Sequence, residues 1–69
     1  MKHIKIEAGM KVKLREHADM YPYSGLTIEI ESELPKFRRK RAFKAVGMGA
    51  IWLIEDFAYV IGYENYKME

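Results

Sequence analysis

The sequence predicts an all-β protein, a small closed barrel of five to six short antiparallel strands. Three observations carry that expectation. Apolar and charged residues alternate with a period of two in separate segments, the mark of half-buried strands. Glycine and proline break the chain between these segments at close intervals. The chain has only 69 residues. A chain of that size makes one domain that buries roughly 60% of its unfolded surface. Two packed sheets would need more residues, and closure into a barrel removes exposed strand edges.

The elements follow in order. Ile4 and Ile6 alternate with Lys5 and Glu7, which predicts an N-terminal strand over residues 2–7. Gly9 is expected to form a bulge or turn before the next strand, where Val12 and Leu14 alternate with Lys11, Lys13 and Arg15. Residues 19–25 concentrate Pro22, Ser24 and Gly25 and read as a loop. Leu26, Ile28 and Ile30 then alternate with Thr27, Glu29 and Glu31, giving one apolar and one acidic face. Residues 32–47 admit a helix, with Ser32 as N-cap, Pro35 in the first turn and Gly47 as the stop. Its apolar positions scatter around the helical wheel, so a strand over residues 41–46 is preferred. Gly47-Met48-Gly49 marks a hairpin turn, residues 50–54 a short apolar strand, Glu55-Asp56-Phe57 a 3₁₀ step and residues 58–61 a last strand. Residues 1–62 are expected to form the single domain, an SH3-like barrel by length with an OB-like barrel second, and residues 63–69 a polar tail that frays.

Three stretches carry a resemblance. They are Gly9-Met10-Lys11-Val12-Lys13-Leu14-Arg15, Ser24-Gly25-Leu26-Thr27-Ile28-Glu29-Ile30 and Trp52-Leu53-Ile54-Glu55-Asp56-Phe57. In type and order they resemble the SH3-like barrels grouped as KOW, Tudor and related modules. They are most similar to the very small stand-alone versions found in bacteriophages and prophages. The resemblance covers residues 9–61. It does not extend to the N-terminal strand or to the basic segment after Pro35. It implies binding without catalysis and names no ligand, because one fold serves many functions.

The composition narrows the function classes. Half the chain is apolar (49%) and a third is charged (32%), too apolar for intrinsic disorder. With no cysteine, a disulfide framework and a Cys-based zinc site are excluded. Charges interrupt the N-terminal segment, so no signal-peptide pattern is present, and the longest nearly uncharged stretch, residues 45–55, is far shorter than the ~20 residues of a membrane span. A cytoplasmic protein without membrane contact is expected.

The net charge of +2 hides a segregated layout. Six of the twelve basic residues, Lys36, Arg38, Arg39, Lys40, Arg41 and Lys44, lie within nine positions, interleaved with Phe37 and Phe43. Guanidinium and ammonium groups neutralise phosphates, and aromatic rings between them stack on bases. Lys36, Phe37, Arg38, Arg39, Lys40, Arg41 and Lys44 are therefore the candidate contacts to DNA or RNA. Two blander readings stand beside this one: a solvated run that keeps the chain soluble, and cross-strand pairing with the acidic strand of residues 27–31.

Tyr21, Pro22 and Tyr23 form a second candidate site, a groove for an extended peptide or a base, or else a cap on the barrel end. Trp52, Phe57 and Tyr59 read as core or rim, and the five methionines as gap fillers. His17 with Glu16 or Asp19 supplies too few ligands for a metal, so neither metal nor cofactor is expected. Ser24, Thr27 and Ser32 lack the setting of a nucleophile. Adjacent Glu55 and Asp56 point apart on a strand, and in a turn Asp56 is expected to cap backbone N–H groups. Gly47-Met48-Gly49 lacks the Lys-Ser/Thr of a phosphate loop.

The function expected is a non-enzymatic binding module, a monomer or weak dimer, associated with nucleic acid through residues 36–44. The alternatives are a phage-type accessory protein that binds and modulates a host protein with an acidic surface, and a self-associating structural protein.

Overall fold

The architecture comes from a computed structural model that describes residues 2–69. The strands are β1 (His3–Ile4), β2 (Lys11–Leu14), β3 (Thr27–Phe37), β4 (Lys40–Ala45), β5 (Ile51–Leu53), β6 (Phe57–Val60) and β7 (Lys67–Met68). Single 3₁₀ turns lie at Ala18–Met20 and Ile54–Asp56. Five strands form one antiparallel sheet in the order β5-β4-β3-β2-β6, and β1 pairs in parallel with β7. The fold is all-β, as the alternation predicts. Four strands run as a meander, and a 3₁₀ turn carries the chain to a last strand that returns to β2. No helix among the described residues is long and apolar enough to cross a membrane.

The core forms where the alternating faces meet. Val12, Leu14, Ile28, Ile30, Phe43, Ala45, Trp52, Phe57 and Val60 are buried together, and Phe43 packs on Phe57 with ring centroids 5.5 Å apart. Trp52 and Phe57 are thus core, as their types suggested. Met20 is buried with them, and Met10, Met48 and Met68 fill the edges of the cluster. Gly25 lies near the end of the loop of residues 15–26 at φ +73, a left-handed backbone that calls for glycine.

β3 is the long element, eleven residues where the sequence pattern showed only its first half. Its N-terminal part pairs with β2 (Val12 opposite Ile28), its C-terminal part with β4 (Leu34 opposite Ala42). The register against β4 shifts twice, between Ile30 and Ser32 and between Leu34 and Phe37. Each shift is an extra residue on β3, and Pro35 falls inside the second, where its missing N–H disturbs no regular ladder. The helical alternative for residues 32–47 is thereby excluded. β4 spans residues 40–45, one residue earlier than expected at each end.

Both chain ends depart from expectation. The predicted strand over residues 2–7 shortens to two residues and leaves the main sheet. The tail, expected to fray, pairs with it: Lys67 N–H donates to Lys2 O at 2.9 Å, Glu69 N–H to Ile4 O at 2.8 Å and Ile6 N–H to Glu69 O at 3.2 Å. The reason is Ile6. Its side chain is 2% exposed and joins the core cluster, so the N-terminal segment plugs the barrel and offers its backbone to the C-terminal one.

Ile6→Ala should therefore cost about 2–5 kcal/mol, the usual range for emptying a core isoleucine site. Ile51→Ala, at a side chain 53% exposed, should stay within about 0.5 kcal/mol. Urea unfolding monitored by Trp52 fluorescence measures both. Equal losses would show that Ile6 is not part of the core.

Candidate functional site

The basic segment is a β-hairpin arm. β5 pairs with β4 only as far as Ala42 opposite Leu53, so between residues 35 and 41 the sheet is reduced to two strands. Phe37 pairs with Lys40, which leaves Arg38 and Arg39 as a two-residue turn. Both have left-handed backbones, φ 53 and φ 66. Positive φ at both central positions is the type I′ signature, whose twist suits a hairpin and which normally takes Asn-Gly. Arginine carries a Cβ, so each left-handed residue costs roughly 1–2 kcal/mol. The turn presents two guanidinium groups at the apex, and that of Arg38 lies over the Phe37 ring, 5.2 Å from its centroid.

The six clustered cations divide into two sets. Arg41 Nε and Nη2 donate to Glu33 Oε2 and Oε1, both at 2.9 Å, in a forked pair. Lys40 Nζ lies 2.7 Å from Glu55 Oε2, and Lys44 Nζ 3.3 Å from Glu31 Oε2. The cross-strand pairing considered from the sequence thus holds for Lys44 with Glu31, and Arg41 pairs beyond that stretch, with Glu33. Lys36, Arg38 and Arg39 make no ion pair with a carboxylate among the described residues, and all three are exposed. Of the seven candidate contacts, the structure gathers Lys36, Phe37, Arg38 and Arg39 at the arm's tip and ties Lys40, Arg41 and Lys44 down at its root.

The first bulge places Glu33. It opposes Phe43, whose ring lies in the core, so Glu33 and Arg41 close over that end of the barrel. Arg41 lies 5.1 Å from the Phe43 ring centroid, and its Nη2 donates to Ile6 O at 3.5 Å. The hydrogen bond from Arg41 holds the Glu33 carboxyl below its ordinary 4.5, helped by the positive charges of Lys5 and Lys36. The pairing raises Arg41 in turn. Lys5 is the residue sequence reasoning missed. It lies thirty-one positions before Lys36, which shares β3 with Glu33, and the N-terminal segment brings its charge to bear on the same carboxylate.

The second candidate site comes apart. Tyr21 is 84% exposed, and Pro22 is exposed beside it. Tyr23 is also exposed, at 38%, and meets Trp52 edge to face, ring centroids 5.3 Å apart. The buried Trp52 Nε1 has no hydrogen-bond partner among the described residues.

The remaining candidates have local structural roles. Asp56 Oδ2 accepts from Leu53 N–H at 2.9 Å and so caps the 3₁₀ turn, as expected of it. His17 Nδ1 accepts from Asp19 N–H at 3.2 Å and so caps the first 3₁₀ turn. Among the described residues no group of three or more His, Asp and Glu side chains is placed to hold a metal ion. Comparison with family models, curated proteins and solved structures returned no match.

Two predictions follow from the arm's construction. Because Glu33 is depressed in the folded state, its pairing contributes stability above the ordinary carboxylate range and loses it as the pH falls through the lower folded value. Wild type should exceed Glu33→Gln by about 0.5–1 kcal/mol near neutral pH, since the pair is partly exposed, and the gap should close below about pH 4. Urea unfolding across this range tests it, and a gap that widens in acid would refute the assignment. In the turn, Arg38→Asn/Arg39→Gly should stabilise the protein by about 1 kcal/mol, seen as a higher thermal midpoint. An unchanged midpoint would mean that the arginines carry no strain.

Proposed function

We propose that the protein is a non-enzymatic binding module whose hairpin tip, Lys36, Arg38 and Arg39 with Phe37 between them, grips the phosphate backbone of a nucleic acid. The observation that carries this reading is the strained apex. Two arginines occupy a turn that Asn-Gly would fill without strain, and neither is neutralised within the chain. A turn that needs left-handed backbone is strained by any residue with a Cβ, and strain of this kind clusters at functional sites. Lys5 and Lys36 both act on Glu33, so they add to the positive field at the root of the arm. Three phosphate contacts without further anchoring support weak, sequence-independent binding, with a dissociation constant of about 1–100 μM near physiological salt.

Salt dependence tests it. If only the three unpaired cations displace counterions, the slope of log affinity against log salt should be about −2 to −3. Engagement of all six would give about −4 to −5. Lys36→Ala/Arg38→Ala/Arg39→Ala should abolish binding, and Lys44→Ala should leave it essentially unchanged. Fluorescence anisotropy with a labelled oligonucleotide reads all of these, and absence of binding at low salt would rule the function out.

A second reading, docking onto a host protein, draws support from Tyr21, a large ring 84% exposed at the apex of the loop. Sensitivity of a captured partner to Tyr21→Ala, without salt dependence, would favour it.

A further inference from the structure

The free cations explain an attraction to phosphate, but they leave Phe37 unexplained. Phe37 lies immediately before the turn and is 45% exposed. It pairs with Lys40 and so lies on the face of β4 opposite to Phe43, the face that also carries the buried Ala42. The Arg38 guanidinium lies over the ring and covers one side of it. A ring backed by a guanidinium on one side presents a single remaining surface for another flat group, and a nucleobase stacks on such a surface whatever its sequence.

We propose that the tip takes one unpaired base onto the open side of Phe37, with the Arg38 guanidinium behind the ring and Lys36, Arg38 and Arg39 on the flanking phosphates, so that the ligand is single-stranded nucleic acid. This rests on the phosphate-binding reading of the tip and adds to it which form of nucleic acid is bound. In a duplex the faces of the bases are covered by their neighbours, and only edges face the grooves. Of the residue types that read such edges, residues 35–41 hold Arg and Lys but no Asn or Gln, and the exposed Phe37 ring has no group that hydrogen-bonds to an edge. Glu33 and Glu55 stand at the root of the arm, where the two phosphate backbones of a groove-bound duplex would run along its sides. A single strand crossing the apex meets the cations and avoids these carboxylates.

The test uses the full chain and three ligands: a labelled single strand of mixed sequence about a dozen nucleotides long, the duplex of the same sequence, and inorganic polyphosphate as a competitor without bases. Wild type should prefer the single strand about tenfold over the duplex. Phe37→Leu should lose about tenfold on the single strand and keep both its salt slope and its affinity for polyphosphate. Phe37→Tyr, which keeps the ring, should bind as wild type does. Circular dichroism confirms that each variant is folded. Equal binding of single strand and duplex, or a Phe37→Leu protein that binds the single strand normally, overturns base stacking and leaves the phosphate reading standing. Failure to bind any of the three ligands overturns both.

Discussion

Two extra residues in β3 set the arrangement of the whole surface. A regular strand would hold Ile28, Ile30, Ser32 and Leu34 on one face and Glu29, Glu31 and Glu33 on the other. The first bulge sets Glu31 and Ser32 against Lys44 alone and reverses every later side chain. Leu34 moves outward beside Ala42, and Glu33 moves to the side of Phe43, where Arg41 meets it. Three carboxylates that would have formed one repelling row are separated, and two of them gain cationic partners across the ladder. The second bulge accommodates Pro35 and reverses the phase again, which brings Phe37 to the face opposite to Phe43 just before the turn. Hairpin arm, forked ion pair and exposed ring all follow from these two insertions.

The same insertions decide how much of the structure was legible. β2, the first half of β3 and the run from Trp52 to Val60 alternate cleanly or carry strong turn signals, and they were read close to where they lie. Residues 32–47 were ambiguous because each bulge shifts the phase of alternation, so the apolar positions fit neither a period of two nor one of 3.6. The turn was invisible because type I′ geometry is announced by Asn-Gly and here is built from Arg38 and Arg39. The terminal ribbon joins residues at opposite ends of the chain through two pairs, too short to leave a pattern, and the approach of Lys5 to Glu33 was hidden with it. Segregation of charge was plain in the sequence. The division of six cations into paired and unpaired sets depended on register.

The ion pairs at the root do little for stability. Partly exposed pairs contribute about 0–1 kcal/mol each, and salt weakens them further. Their effect is on the field. Lys40, Arg41 and Lys44 are matched locally by Glu55, Glu33 and Glu31, and the unmatched charge is left at the apex. The Debye length near physiological salt is about 8 Å, so a ligand at the tip feels the tip and little of the acidic face behind it. A net charge of +2 therefore understates the local potential that a phosphate would meet.

A two-stranded ribbon alone is marginal in water, and a strained turn makes it weaker. The arm must therefore be held from its root, and Arg41 is where the holding groups converge. It forks onto Glu33 on the neighbouring strand, lies against the Phe43 ring at the edge of the core, and reaches the Ile6 carbonyl in the segment that plugs the barrel. Lys40 adds a tie to Glu55 in the 3₁₀ turn on the other side. Ile6 in turn is fixed by its own burial and by the paired chain ends. The terminal ribbon lies outside the main sheet, yet it belongs to the mechanical support of the tip. Its single buried side chain anchors the carbonyl that helps position Arg41, and Arg41 holds the root of the strands that force Arg38 and Arg39 into their left-handed turn.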